Sequence, residues 1–284
     1  DTYWLALGLR TAFSQRHSIY VDGGENNVRW GVELNYNGNN GVMQKSNRNV
    51  TGAGFYIDYR IGKFQVKNKT TFTFGNSNDV PFNSFSDYSH LNPYLRIYDE
   101  DGNYLRKLES FSGYAGTLVN PLYEIHNYNS YDKTKYYEIV DNLLVNWNIT
   151  KDLRLRLQMS ATIKRENSEL YKDPASASYG TGNLAMNGDK SVSSGDSNVI
   201  DGTLQLMYNK SIKKHYLNMN LSANLRTTQY TTEYADYRGF PGGDLTSSNY
   251  AAEIVNKPTR NDQRSRLLGF LLTGNYAWDN VYFA

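Results

Sequence analysis

Strict alternation of apolar and polar side chains, with a period of two residues, most constrains what this chain can fold into. The clearest case is residues 153–164, where one side of an extended chain is apolar and the other polar. The apolar side holds Leu153, Leu155, Leu157, Met159, Ala161 and Ile163. The same split recurs at residues 28–37 and 215–226. Because side chains of a β-strand alternate between its two faces, these segments are predicted to be strands of a sheet with one apolar face.

The connections between the predicted strands alternate between short and long. Further strands are predicted at about 15–22, 51–61, 64–74, 139–149, 199–209 and 265–276, and another starts at Val281. Short connections are predicted at 23–27, 62–63, 150–152, 210–214 and 277–280, and long ones at about 38–50, 75–138, 165–198 and 227–264. A compact soluble domain seldom carries several irregular loops longer than about 12–15 residues. An outer-membrane β-barrel has this asymmetry, with short turns on one side and long loops on the other.

Composition excludes several classes of protein and supports a β-rich one. The 284 residues include 25 tyrosines and 23 glycines, no cysteine, and a formal net charge of only +2. The charge balance gives no electrostatic reason to expect a nucleic-acid partner, and without cysteine there are no disulfides or thiolate metal sites. Mean hydropathy is −0.66, and no segment approaches the roughly 18 apolar residues of a membrane helix.

Aromatic residues recur beside the short connections and support the barrel interpretation. On the apolar faces, Tyr59, Trp147, Tyr208 and Tyr276 precede short turns and Phe64 follows one. Aromatic side chains of membrane barrels concentrate where the lipid-facing surface meets the headgroups. The polar faces, with Glu33, Arg154, Arg156 and Lys164, are then expected to line the interior, because a cation facing lipid near mid-membrane costs about 2–4 kcal/mol.

The two ends of the chain suggest a section of a larger barrel. Asp1–Phe13 is expected to be an irregular lead-in, since it lacks the basic start and apolar core of a signal peptide. The chain ends at Val281–Ala284, inside a strand that has just begun. We therefore expect about nine strands and the start of a tenth from an antiparallel transmembrane β-barrel.

Several short segments, taken in order, resemble the barrel of SusC/RagA-type TonB-dependent transporters of Bacteroidetes. The resemblance covers most of the chain and rests on residues 10–18 (RTAFSQRHS), 22–24 (DGG), 32–36 (VELNY), 47–48 (NR), 52–55 (GAGF), 92–102 (NPYLRIYDEDG) and 120–123 (NPLY). It implies an all-β outer-membrane barrel of about 22 strands. It also implies that residues 1–14 follow an N-terminal plug and that residues 75–138, 165–198 and 227–264 are extracellular loops.

The resemblance further implies partners and a transported ligand. These are the TonB–ExbB–ExbD complex, engaged through a plug and coupling box, a SusD-like surface lipoprotein acting as a lid, outer-membrane lipid, and an oligosaccharide or peptide. The plug, the coupling box and the remaining strands are absent from these residues, so this chain alone is not expected to transport. Two alternatives stay open: a passive porin or iron-chelate receptor barrel, and a soluble β-rich adhesin or carbohydrate-binding module.

No segment carries a catalytic, metal or cofactor motif, so the sequence predicts neither an enzyme nor a bound cofactor. Asp99–Asn103 lacks the spacing of a calcium loop and is predicted to be a hairpin turn. Polar and aromatic side chains of the long loops are candidates for contacts with ligand or lid. They are Asn92, Tyr94, Arg96, Tyr98, Tyr123, His126, Tyr237 and Arg238. The alternative is that these side chains pack the loops on themselves.

Overall fold

A computed structural model describes residues 1–79, 84–108, 118–179, 183–279 and 281–283, most of which lie in one large antiparallel sheet. Its ten-strand path is β1 (Ser14–Glu25), β2 (Val28–Asn40), β3 (Asn47–Ile61), β4 (Phe64–Asp79), β7 (Tyr131–Asn148), β8 (Leu153–Lys172), β9 (Asp189–Ile212), β10 (His215–Arg238), β12 (Thr259–Trp278) and β13 (Val281–Phe283). β11 (Glu253–Ile254) pairs with the end of β10, and β5 (Lys107–Leu108) pairs with β6 (Leu118–Val119) apart from the sheet. Within the described residues, β1 and β13 do not pair, so the sheet is open. The all-β, antiparallel prediction is confirmed.

The strands run further than predicted at the edge that leads to the long connections. β8 extends to Lys172 and β10 to Arg238, well past the residues where alternation ends. The strands continue there because hydrogen bonds between backbones do not depend on side-chain polarity. The sequence pattern, by contrast, is visible only where one face of the strand is apolar. The connections are correspondingly shorter than predicted: the one predicted at 38–50 is the six-residue segment 41–46, and the long ones are 80–130, 173–188 and 239–258. Parts of the predicted loops, at 80–83, 109–117 and 180–182, lie outside the described residues.

Left-handed backbone conformations close the tight hairpins at the opposite edge. Asn26, Gly62 and Lys213 have φ values of 40°, 53° and 52°. Two-residue hairpin turns favour positive φ because it matches the twist of the paired strands. We call this edge of the sheet the short-turn edge and the other the long-loop edge.

The pairing of residues across neighbouring strands shows that one face of the sheet is apolar and the other polar. One row of paired residues on the apolar face runs across seven strands and consists of Tyr59, Val66, Val145, Leu157, Leu204, Ala223 and Phe270. Much of this face is solvent-exposed, including Phe270 at 73%. The predicted aromatic residues beside the short turns all lie on it, and the rings of Phe64 and Trp147 stack at 5.3 Å. We call this the convex face and the opposite, polar face the concave face.

Asp141 is an exception within the apolar convex face. Its carboxylate accepts hydrogen bonds from Asn68 Nδ2 at 2.9 Å and Thr70 Oγ1 at 2.5 Å, both on the neighbouring strand. Polar groups removed from water need such partners, so the three side chains form a small satisfied cluster.

A compact loop core lies at the long-loop edge and includes the start of the chain. α1 (Trp4–Leu7), α2 (Phe85–Ser89) and α3 (Pro121–Asn127) contribute to it. Its buried residues are Trp4, Tyr88, Leu95, Leu108, Leu122 and Ile125. The predicted lead-in over residues 1–13 contains one short helix, α1, and its apolar residues Trp4 and Leu7 pack against the first long loop. None of the helices in the described ranges is long and apolar enough to cross a membrane.

Asn120 and Pro121 explain how α3 begins within this core. The Asn120 side chain accepts a hydrogen bond from Leu122 N at 3.1 Å and donates one to the Leu105 carbonyl at 2.7 Å. Proline suits the first helical position because its missing N–H would have no partner there. The Asn-Pro-Leu-Tyr segment thus caps the helix and ties it to the preceding chain.

Candidate functional site

A cavity of about 540 Å³ lies on the concave face and spans six strands, from β1 to β8. Because side chains from six adjacent strands line one space, the sheet curves around it. The polar lining residues that belong to the concave face are Tyr20, Glu33, Tyr56, Asp58, Lys67, Lys69, Asn142, Arg156 and Gln158. Register places them there: Tyr20 faces Glu33, Tyr56 faces Lys69, and Asn142 and Arg156 continue the same face on β7 and β8. The polar-face prediction for Glu33 and Arg156 agrees with this placement.

Two tyrosines form the aromatic part of the cavity wall. The hydroxyl of Tyr20 donates to that of Tyr56 at 3.0 Å, and the two rings are nearly parallel, with centroids 6.4 Å apart. Tyr56 lies flat across the neighbouring strand at Gly31, where an added Cβ would sit 2.3 Å from its Cε1. Gly31 therefore leaves room for the ring, and an aromatic ring laid over a glycine also supports the sheet there.

A chain of charged and amide groups continues the wall from β3 to β8. Asp58 accepts from Gln65 Nε2 at 2.9 Å and pairs with Lys67 at 3.4 Å and Arg60 at 3.6 Å. Asn146 donates to Gln65 Oε1 at 3.3 Å and accepts from Arg156 Nε at 3.0 Å. The wall thus offers cations, carboxylates, donors and acceptors side by side, which suits a polar ligand carrying groups of both signs.

Of the predicted loop candidates, Tyr98 and His126 are brought together by a residue that the sequence analysis did not select. Tyr104 lies between them, with ring centroids 5.0 Å from each. The predicted hairpin turn at Asp99–Asn103 is confirmed: Asn103 N donates to Asp99 Oδ1 at 2.8 Å, and an isolated antiparallel β-bridge pairs Tyr98 with Tyr104. The turn therefore sets the position of the two rings. We call Tyr98, Tyr104 and His126 the aromatic ladder.

The other candidates of the first long loop have mixed environments. Tyr94 is 71% exposed and Arg96 is also exposed. Asn92 is structural: its carbonyl accepts from the Trp4 indole, and its side chain accepts from Tyr94 N. The Tyr123 ring meets Tyr128 edge-on at 5.5 Å.

The environment of Tyr128 raises the pKa of its hydroxyl to about 12. Partial burial is the main cause, the neighbouring Tyr123 and Glu124 add to it, and Arg106 opposes it. The neutral form of the Tyr128 hydroxyl therefore persists to higher pH than in an unperturbed tyrosine.

Tyr237 and Arg238 lie elsewhere, at the end of β10. Tyr237 packs against a second small core of Tyr131, Tyr171 and Phe240. Arg238 pairs with Asp189 at 3.1 Å and with Glu253 at 4.0 Å. These contacts join three strand ends, and no described contact links the two residues to the aromatic ladder.

Hydrogen bonds between different loops join them into one layer. The buried Glu124 accepts from Ser176 Oγ at 2.7 Å and from Ala177 N at 2.8 Å. Asn129 Nδ2 donates to the Gly243 carbonyl at 3.1 Å. The first long loop is therefore tied to both later ones at the long-loop edge.

The concave-face residues Tyr20 and Tyr56 were missed by the sequence analysis. The signal that would have found them was the polar-side position of each tyrosine within an alternating strand. Within the described part of the chain, no group of three or more metal-binding side chains lies together.

The fold of this chain matches that of solved transporters. Against the RagAB peptide importer in its closed-closed state the TM-score is 0.80 at 15% identity, and against its open-open state it is 0.82 at 16%. Each match covers 99% of this chain and 32% of the other, so the chain spans about a third of those structures. No protein-family model matches the sequence, and comparison with curated proteins finds no match. The resemblance to SusC/RagA-type barrels inferred from sequence is therefore confirmed at the level of the fold.

Proposed function

We propose that this chain is part of the wall of an outer-membrane importer driven through TonB, which takes up peptides or oligosaccharides. The observation that carries the proposal is the agreement of nearly the whole chain with the barrel of a peptide importer, at a TM-score of 0.82. The open sheet, with its apolar convex face and polar concave face, is what a section of such a wall requires. The short-turn edge then faces the periplasm and the long-loop edge the outside.

In this proposal the residues of the chain bind and guide the ligand and do not catalyse a reaction. The loop layer, with its aromatic ladder and with Tyr94, Arg96, Tyr123, Tyr237 and Arg238, contributes contacts to the ligand or to a SusD-like lipoprotein lid. The concave cavity then offers the next polar surface on the way to the periplasm. Energy from TonB, ExbB and ExbD acts through a plug that belongs to the whole transporter.

The concave cavity favours a peptide over an oligosaccharide as the ligand. Asp58 and Glu33 lie near Lys67, Lys69 and Arg156, so the wall offers complementary charge to both an amino and a carboxylate group. Oligosaccharides are the second candidate. The specific observation in their favour is the exposed ring surface of the aromatic ladder, because sugar rings stack on such surfaces.

The test measures uptake of labelled peptide mixtures and oligosaccharides by cells that carry the intact transporter. We expect the double substitution Asp58→Asn with Lys67→Gln to reduce uptake of charged peptides, and Lys151→Gln at the short-turn edge to leave it unchanged. Uptake that persists without TonB would instead indicate a passive porin. A chain that washes from membranes with alkaline carbonate would contradict the membrane assignment itself.

A further inference from the structure

A second cavity, of about 460 Å³, lies on the opposite face, above the apolar band. We call it the convex groove, and it is lined by residues of the neighbouring strands β3, β4, β7 and β8. The convex-face side chains that β4, β7 and β8 contribute are Phe74, Asn76, Lys135, Tyr137, Arg165 and Asn167. The importer proposed above makes no use of these residues.

Register arranges the groove in rows of increasing polarity. Phe72, Ile139 and Ile163 form an apolar row. Phe74, Tyr137 and Arg165 form the next row toward the long-loop edge, and Asn76, Lys135 and Asn167 form the one after it. The groove therefore lies where an apolar surface passes through aromatic rings into cations and amides.

The charges around the groove leave it cationic. Arg165 is 57% exposed and pairs with Asp196 on β9 at 3.1 Å. Lys135 is exposed, and among the described residues it has no ion pair. In the adjacent row Lys133 faces Glu169, which also pairs with Lys190 at 3.2 Å. The four cations Lys133, Lys135, Arg165 and Lys190 thus outnumber the two carboxylates Asp196 and Glu169.

We propose that the convex groove binds the phosphorylated sugar headgroup of a glycolipid in the outer leaflet. This inference rests on the proposed membrane location, which places the groove where the lipid surface meets water. Basic side chains beside an apolar membrane surface attract anionic headgroups. The guanidinium and ammonium groups supply the phosphate contacts, the rings and amides suit the sugar, and acyl chains cover the apolar row below.

The probe is lipid A with both phosphates, titrated into the intact detergent-purified protein and followed by native mass spectrometry. Each cation near a membrane surface contributes about 1 kcal/mol to anionic lipid binding, or about fivefold in affinity. We expect the double substitution Lys135→Gln with Arg165→Gln to weaken lipid A binding by about 25-fold. Lys135→Arg keeps the charge and should bind as the wild type does.

Two controls separate this site from general effects of charge or folding. Lys164→Gln removes a cation next in sequence to Arg165 but on the concave face, and should leave binding unchanged. Dephosphorylated lipid A, tested on the wild-type protein, should bind about as weakly as phosphorylated lipid A binds the double variant. Equal binding of the two lipids by the wild-type protein would overturn the proposal without any variant, as would full binding by a folded double variant.

The failure of this site and the failure of the importer proposal are distinguishable. A variant that loses lipid A binding but still takes up ligand is changed in the groove alone, and the importer proposal stands. A protein that binds lipid A through Lys135 and Arg165 but takes up no ligand refutes the importer and leaves the groove in place. Acidic protein bound at the groove in place of lipid A would overturn the lipid assignment.

Discussion

The indole nitrogen of Trp4 donates a hydrogen bond of 3.1 Å to the carbonyl oxygen of Asn92, across a separation of 88 residues. Trp4 is only 2% exposed, and its ring completes a core otherwise built from the first long loop. The start of the chain is therefore a structural part of the loop layer.

Trp4→Ala is expected to destabilise this core by about 3–5 kcal/mol, because it removes a large buried side chain and leaves a cavity. Hydrogen exchange of backbone amides in residues 84–108 and 118–127 measures the effect, since local opening exposes them. Tyr3→Ala is the matched control: Tyr3 is 70% exposed, and its loss should change exchange very little. Unchanged protection in Trp4→Ala would show that the loop core holds without the first residues.

Glu124→Gln is expected to loosen the link between the first and second long loops by about 1–3 kcal/mol. The carboxylate accepts two hydrogen bonds inside the layer, from Ser176 Oγ and Ala177 N, and a neutral amide offers only one oxygen to them. Limited proteolysis within residues 173–179 measures the opening. Glu100→Gln, at an exposed position, is the control, and equal cleavage of the two variants would contradict the role of Glu124.

Thr70→Val removes one of the two donors to Asp141 on the apolar convex face. A half-buried carboxylate left with a single side-chain partner is costly, so we expect a loss of about 1–3 kcal/mol in the free energy of unfolding. Urea unfolding of the intact protein in lipid vesicles measures it. Thr71→Val, the adjacent threonine on the concave face, should have a smaller effect.

Alkaline pH is expected to weaken the loop layer around Tyr128. Its pKa is raised to about 12, whereas an unfolded tyrosine titrates near about 10. The stability contributed by the neutral hydroxyl is present below pH of about 10. It is lost as pH rises from about 10 to about 12, because the unfolded chain ionises first.

The rate of proteolysis in residues 118–130, compared at pH of about 9 and about 11, checks this prediction. Tyr128→Phe has no ionisable hydroxyl and should show a smaller increase between the two conditions. An equal increase in both proteins would assign the pH effect to other groups.

Tyr104→Ala is expected to disrupt the aromatic ladder and lower affinity for an oligosaccharide or peptide by about tenfold. It removes ring contacts with both Tyr98 and His126, each worth about 0.5–1.5 kcal/mol. Equilibrium binding of the intact transporter to its ligand provides the measurement. Tyr250→Ala, an exposed tyrosine of the third long loop, is the control.

The strands were predictable from sequence because the alternation of apolar and polar residues marks the two faces of a strand directly. Leu153 to Ile163 alternate, and β8 begins at Leu153 as predicted. The end of β8 at Lys172 was not predictable, because residues 164–169 are polar on both faces and only the backbone hydrogen bonds to the neighbouring strands continue. The packing of residues 1–13 was also not predictable, because Trp4 is buried against residues that lie far along the chain.

The candidate site was predictable only where local sequence sets the geometry. The turn at Asp99–Asn103 could be read from its residues, and it orients Tyr98. The contact of Tyr104 with His126 depends on how α3 packs, which no short segment encodes. Tyr20 and Tyr56 meet because two hairpins align three strands, so their pairing follows from register.

The ring of Tyr56 laid flat over Gly31 also makes the wall of the concave cavity sensitive to the residue at position 31. A Cβ there would lie 2.3 Å from Tyr56 Cε1, so the ring would have to shift away from the sheet, toward the cavity. The position of an aromatic ring in the cavity wall is thus set by a residue that has no side chain.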